Sequence, residues 1–236
     1  NSQPTQMSLA DDNRRMGTIN YTVWTDVVIC PNCGTEMSFW DVAVDEEHRK
    51  VRDKFHCPDC GMELSKRDCE KATETFYDES LGRTVSLAKQ APVFINYTYG
   101  GKRFEKKLDA YDYERLERIK QYKPPYWYPT AELPDGFNTR QPKISHGVEC
   151  VHQFLTKANL LTLSTVAHYA TSKELRCLIS DILPRGSRMH KIAVSRLNTN
   201  LSKTAGILSG TLYIPSNTIE YSILSMLQSR ITDVGR

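Results

Sequence analysis

The chain has 236 residues, of which 39% are hydrophobic and 25% charged, a composition ordinary for a folded globular protein with one large domain or two smaller ones. Its formal net charge is only +3. The overall charge is therefore too small to indicate a polyanionic partner by itself. The sequence has no apolar run of roughly 18 residues, the length that a membrane span needs. Residues 1–15 are polar, which is not typical of a signal peptide. We therefore expect no membrane partner.

The two ends of the chain lead us to interpret it as a piece of a longer protein. It begins at Asn1 rather than at a methionine, and it ends at Arg236 directly after an amphipathic run. Residues 1–17 are polar and are predicted to form a flexible N-terminal segment.

The first predicted elements surround two short knuckles, CPNCG at 30–34 and CPDCG at 57–61. A β-branched and aromatic strand is predicted over Thr18–Ile29, leading into the first knuckle. Further strands are predicted over Ser38–Val44 and Val51–Phe55, returning to the second knuckle. This order of strand, knuckle, hairpin and knuckle is typical of a zinc ribbon, in which a metal replaces the core that so small a unit cannot build.

The two knuckles supply the candidate metal ligands, Cys30, Cys33, Cys57 and Cys60. Four thiolates can fill the tetrahedron that zinc prefers, at Zn–S distances of about 2.3 Å, so we predict a closed structural site rather than a catalytic one. A disulfide pair, or a ribbon that has lost its metal, are the alternatives. Four of seven cysteines in metal spacing indicate a reducing, cytoplasmic location.

The remaining thiols and histidines are predicted to be structural. Cys69 is interpreted as a plain thiol on a helix, with a place in the zinc site as the alternative. Cys150 and Cys177 are interpreted as core residues. His152 and His168 are predicted to lie on helical surfaces.

Between the ribbon and the second half, a helix is predicted over Lys66–Thr73, and Arg83–Tyr99 is predicted to be rich in strand. Gly100 and Gly101 then form a hairpin turn, and Tyr111–Tyr122 is helical. We group 18–122 as a zinc ribbon plus β-hairpin region. Five prolines mark 123–145 as a connector and the main boundary.

The second half, 146–236, is predicted to be helical with one strand. Helices are expected over Val148–Leu155, Lys157–Tyr169 with Thr156 as its N-cap, and Ser172–Leu183. A strand is expected over Gly206–Ile214, and a final helix from Ser216 or Asn217 through Ile231. The predicted fold class is α+β: a β-rich zinc ribbon followed by a mixed, mainly helical region.

Basic residues concentrate in two stretches that can neutralise phosphates. The candidate DNA contacts are Lys102, Arg103, Arg185, Arg188, Lys191 and Arg196. The alternative for each stretch is an ordinary solvated face. The sequence contains none of the common catalytic motifs: no P-loop, no GxGxxG, no HExxH helix and no GxSxG elbow. We therefore predict no catalytic residue.

Several collinear segments carry a family resemblance. WTDVVICPNCG (24–34), FWDVAV (39–44) and KFHCPDCG (54–61) resemble the zinc-ribbon insert of bacterial and archaeal DNA methylases that modify an exocyclic amino group of adenine or cytosine, as in restriction-modification. PVFINYTYGGKR (92–103) and the segments at 146–164 and 208–216 are similar to the family's segments on the C-terminal side of that insert. The resemblance covers about residues 18–232.

The resemblance implies a fragment of an S-adenosylmethionine-dependent DNA methyltransferase, cut out between its two active-site motifs. The family's glycine-rich cofactor motif and its Asp-Pro-Pro-Tyr type loop are both missing; KPPY at 123–126 has Lys123, a donor, where the loop needs an acceptor. S-adenosylmethionine is therefore expected in the parent protein but not on this chain, and whether the chain is itself an enzyme stays open.

The resemblance also implies partners. Double-stranded DNA and the remaining methylase domains of the same polypeptide are expected, and 146–236 is a possible part of the parent methylase domain. Aromatic residues that could stack on a base are Tyr97, Tyr99, Tyr126, Trp127 and Tyr128. The alternative function is a zinc-stabilised protein-interaction or scaffolding module without DNA contact.

Overall fold

One long strand, β1 (Thr18–Ile29), organises the fold in a computed structural model that describes residues 17–199 and 201–234. The predicted flexible segment 1–17 lies, except for Gly17, outside the described residues. The strand has the predicted bounds. Its first half is hydrogen-bonded on both sides within a large sheet, while its second half runs into the cysteine ribbon.

Eight of the described strands form one antiparallel sheet around β1. Its main path runs β11-β10-β1-β14-β12-β13, and the last residues of β1 pair with β2 and β7 instead. The strands are β2 (Glu36–Ser38), β7 (Glu70–Lys71), β10 (Gln90–Tyr99), β11 (Lys102–Lys107), β12 (Lys191–Ile192), β13 (Thr204–Gly206) and β14 (Asn217–Tyr221).

Small hairpins and helices pack around this sheet. The hairpins are β3 (Val44–Asp45) with β4 (Lys50–Val51), β5 (Lys54–His56) with β6 (Glu63–Ser65), and β8 (Thr73–Asp78) with β9 (Arg83–Ala88). The helices are α1 (Phe39–Ala43), α2 (Ala110–Gln121), α3 (Phe137–His146), α4 (Lys157–Tyr169), α5 (Lys173–Ile182) and α6 (Ile223–Val234). The predicted α+β class is confirmed.

The apolar core is divided between the ribbon, the sheet and the helices. Val28, Phe39 and Phe55 pack beneath the knuckles, while Leu160 and Ile223 belong to a cluster between α4, α5 and α6. The division at 123–145 stays a prediction, but β14 pairs with β1 across it, so strands from both sides share one sheet. The connector itself contains α3, with Pro142 inside the helix.

Several local predictions are confirmed by the structure. The Gly100-Gly101 turn joins β10 to β11, and both glycines have positive φ. Thr156 caps α4 by accepting from the backbone of Asn159, which is the predicted arrangement. Helices α2 and α5 lie within one or two residues of their predicted bounds.

Three predictions in the ribbon region and the segment after the connector are wrong. Most of 38–44, predicted to be a strand, is the short helix α1, because Ser38 caps it and its apolar face is buried. The helix predicted over Lys66–Thr73 is a turn, in which the amide and hydroxyl of Ser65 both donate to Asp68, followed by β7. Of Val148–Leu155, only 151–154 is helical, as a 3₁₀ turn.

The predicted order near the C-terminus is also wrong. The strand expected over Gly206–Ile214 ends at Gly206, so Leu212 is not in a strand. The first turns of the expected final helix are instead β14, whose Ile219 lies opposite Val23 of β1 and is fully buried. Pairing along β1 outweighs the helical spacing of the apolar residues, and α6 begins only at Ile223.

Candidate metal centre and basic surface

The four predicted cysteine ligands lie together at the end of β1. The sulfur atoms of Cys30, Cys33, Cys57 and Cys60 all lie within 4.8 Å of one another. Two of the Sγ–Sγ distances, Cys30 to Cys60 and Cys33 to Cys57, are 3.7 Å. A tetrahedron with arms of about 2.3 Å has edges of about 3.8 Å, so the spacing fits four thiolates around one zinc ion. It is far longer than a disulfide bond of about 2.05 Å.

The backbone of each knuckle holds its cysteines in place. The amide of Gly34 donates to the carbonyl of Cys30 at 2.9 Å, and the amide of Gly61 donates to that of Cys57 at 3.0 Å. Both glycines adopt left-handed backbone angles, with φ of +78° and +72°. Such angles strain residues with a Cβ, which explains why glycine ends each knuckle.

The thiols of the centre are electrostatically unequal. A hydrogen bond from Asn32 and the amide of Met62 lower the pKa of Cys60 to about 6. The amide of Cys60 lowers the pKa of Cys57, but burial and the neighbouring thiols outweigh it and raise that pKa to about 11. Cys60 therefore ionises before Cys57, and a bound cation would draw the proton from Cys57.

The remaining cysteines lie apart from this cluster. Cys69 packs against the ribbon core without joining the four sulfurs, and it follows a turn rather than lying on a helix. Cys150 is fully buried, as predicted, but Cys177 is exposed on α5, which corrects its predicted place in the core.

The rings of Tyr21 and Tyr221 lie 5.5 Å apart, and the amide of Tyr221 donates to the carbonyl of Arg185 at 3.3 Å. Burial raises the pKa of Tyr221, and the positive charges of Arg185 and Arg103 act against that rise. Lys203 completes the group: its ammonium pairs with Glu105 and lies 5.9 Å from the ring of Phe94. We call Arg103, Arg185, Lys203, Tyr21 and Tyr221 the basic patch.

The other predicted DNA contacts are differently placed. Lys102 and Lys191 are exposed, at the hairpin tip and in β12. Arg196 is exposed, but its guanidinium donates to the carbonyls of Ser202 and Thr204 at 3.1 and 3.0 Å. Arg188 points inward: its Nε is buried without a hydrogen-bond partner among the described residues, and burial lowers its pKa.

The predicted stacking residues do not form one platform. Tyr97 stacks on Phe104 within the β10–β11 hairpin, with 5.6 Å between ring centroids. Tyr126 stacks on His168 at 3.9 Å, whereas Trp127 leaves 80% of its surface exposed. Tyr99, at the hairpin end, is also exposed, and Tyr128 lies 5.7 Å from the ring of His152.

Two buried charged groups were not predicted. Asp26, Lys71 and His146 meet where β1, β7 and the end of α3 come together. His152, predicted to lie on a surface, is buried, and its Nε2 lies 2.7 Å from Asp78. Each group joins residues far apart in the sequence, so no local spacing could have indicated it.

Comparison of the chain with protein-family models, curated proteins and solved structures gives no match. Among the described helices, none combines the length and apolar character needed to cross a bilayer. What the arrangement itself offers is a cluster of four thiols that can hold a metal ion without leaving a ligand position for substrate, together with a basic surface on the sheet.

Proposed function

We propose that this chain is the zinc-stabilised, DNA-binding part of an S-adenosylmethionine-dependent DNA methyltransferase, acting in the cytoplasm. The observation that carries the proposal is that Arg185, whose carbonyl accepts from the Tyr221 amide at 3.3 Å, and Arg103, in β11 of the same sheet, both act electrostatically on Tyr221. These arginines belong to stretches about eighty residues apart, and a purely solvated surface gives no reason for them to meet.

The chemistry of the patch suits a phosphate backbone. Among the described residues, neither Arg103 nor Arg185 forms an ion pair, so both guanidinium groups are available for phosphate oxygens. The hydroxyl of Tyr221, on which both positive charges act, can donate to the same phosphate group. Such contacts position a protein on DNA without reading its sequence.

The metal in this proposal is zinc, held by the four cysteines as a structural ion. It would replace the apolar core that the knuckles lack, and it would fix the end of β1 relative to the sheet that carries the patch. The methyltransferase assignment is supported by the collinear resemblance over 18–232, and S-adenosylmethionine would bind to other parts of the parent protein.

The test is DNA binding by the zinc-loaded chain as a function of salt. The double variant Arg103→Ala/Arg185→Ala should weaken binding for every sequence alike and reduce the slope of log K against log salt by about 2, because two phosphate contacts are lost. Arg67→Ala/Arg115→Ala changes the net charge equally at exposed positions elsewhere. If both double variants lose the same affinity, the patch has no special role.

A second candidate is a protein-interaction module without DNA contact. Exposed apolar side chains support it: Phe137 and Ile144 on α3 are 92% and 72% exposed, and Leu224 and Ile231 on α6 are 52% and 53% exposed. Absence of salt-dependent DNA binding by the unaltered chain would favour this candidate.

A further inference from the structure

A second polar site lies in an open cavity of about 380 Å³, lined by β7, β8, β9 and the end of α3. Its volume is within the range of small-ligand sites. The cavity wall includes Lys71, Thr73, Ser86, Ser145, His146 and Gly147. Gly147 permits the close approach that forms it, since a Cβ there would lie 2.2 Å from the carbonyl oxygen of Ser86.

Three charged or titratable groups meet at this wall. The Nζ atom of Lys71 lies 2.8 Å from Asp26 Oδ2 and 2.7 Å from His146 Nε2. Asp26 is fully buried, whereas the Lys71 side chain keeps 20% of its surface exposed. The amine is therefore held by a buried carboxylate, on a side chain that is partly exposed and lines the cavity.

The hydrogen bonds assign the state of the histidine. His146 Nδ1 lies 2.7 Å from the hydroxyl of Ser145, which donates to the carbonyl of Gln141. Nδ1 therefore carries the proton and donates to Ser145, which leaves Nε2 as an acceptor facing Lys71. Burial lowers the pKa of both His146 and Lys71, in agreement with a neutral imidazole beside a destabilised ammonium.

Lys71 Nζ and His146 Nε2 can share one proton, and Asp26 does not strongly favour either position. Its carboxylate lies 2.8 Å from Lys71 and 3.3 Å from His146, so it stabilises a positive charge on either residue. A proton can then pass from the amine to the imidazole without separating the charge pair. A nucleophile, a base within hydrogen-bond reach and a third group that orients the base are the parts that an activated amine needs.

We propose that Lys71 is the nucleophilic amine of a site for a small aldehyde, with His146 as its proton acceptor and Asp26 as a positioning residue. Lys71 gives one proton to His146, and its lone pair attacks the carbonyl carbon while the carbonyl π electrons move to oxygen. The C–N bond forms, the oxygen takes up the nitrogen's second proton and the one held by His146, and water leaves. The product is a protonated imine on Lys71, and no oxidant or reductant is consumed.

The experiment traps that imine on the full zinc-loaded chain. Propanal and sodium cyanoborohydride are added at neutral pH, and alkylation at each lysine is followed by peptide mass mapping. Exposed Lys50 is the internal reference. We expect Lys71 to be alkylated at least about ten-fold faster than Lys50, since positioned acid–base groups contribute that much or more.

Two variants separate the role of His146 from a general change in lysine reactivity. His146→Gln should reduce the ratio of Lys71 to Lys50 labelling to about one, whereas Lys54→Gln, at an exposed ion pair with Glu63, should leave it unchanged. Unaltered protein unfolded in guanidinium should also give a ratio near one, which keeps the test valid if His146→Gln fails to fold. A ratio at or below one in the folded chain, or one that His146→Gln does not change, overturns the proposal.

Discussion

Replacing Asp26 by Asn should destabilise the protein more than breaking any surface ion pair. Asp26 has none of its surface exposed, and it contacts Lys71 at 2.8 Å, Gln90 at 3.1 Å and His146 at 3.3 Å. The Asn variant keeps the shape but leaves the Lys71 ammonium without its counter-charge in a largely buried place. Removing one partner of such a pair costs about 3–5 kcal/mol, a large part of the total stability of a domain.

The loss should also depend on pH. Burial alone would raise the pKa of Asp26, but its contacts with His146 and Lys71 outweigh burial and hold that pKa below its usual range. Because the folded-state pKa is lowered, the stabilisation is fully present above the unfolded pKa of about 4 and is lost as pH falls toward the folded value. The difference between unaltered protein and variant should therefore shrink below about pH 4.

Urea unfolding of the zinc-loaded chain, followed by tryptophan fluorescence, measures both effects. The control is Glu63→Gln, which breaks the exposed ion pair with Lys54 at 2.6 Å and should change the midpoint little. The pair Asp26→Asn/Lys71→Met removes both charges and should recover part of the loss. If Asp26→Asn costs no more than Glu63→Gln at pH 7, the reasoning about the buried pair is refuted.

Three further predictions concern the buried glutamate, the cavity glycine and the metal. Burial raises the pKa of Glu220 to about 7, so the free energy of unfolding should fall by up to about 3 kcal/mol as pH rises from 4.5 through 7. Glu220→Gln should abolish this pH dependence, as measured by urea unfolding. Gly147→Ala should cost at least about 2 kcal/mol more than Gly82→Ala, measured by the same unfolding, because both have positive φ but only Gly147 lacks space for a Cβ; equal costs would contradict this. Cys57→Ser should lower both the zinc content by atomic absorption and the thermal midpoint, and a variant that keeps its zinc would argue against a four-cysteine site.

The parts of the fold that are encoded locally were predictable from the sequence. The two CPxCG knuckles determine the four-sulfur cluster because spacing and glycine conformation act within five residues. Strand β1 could be recognised from its β-branched and aromatic content, and α4 from its Thr156 cap.

The parts that depend on distant pairing were not predictable in this way. Ile219 and Ile223 fit a helical period, yet Ile219 lies in β14 because β1 offers it a hydrogen-bonded and buried place. Likewise, Asp26, Lys71 and His146 carry no common spacing, and only the meeting of β1, β7 and α3 brings them together. The basic patch was foreseen as two separate stretches, but their convergence on Tyr221 needed the sheet register.

The central position of β1 also bears on how the chain reaches its folded state. Tyr21 pairs with Tyr221, so this part of the sheet closes only after the roughly 200 residues from one to the other have been synthesised. Until then one side of β1 presents unpaired amides and carbonyls, which can template wrong strand partners. Closing so long a loop carries an entropic cost that slows folding. Early metal binding by the knuckles would fix the C-terminal end of β1 before β14 pairs with it.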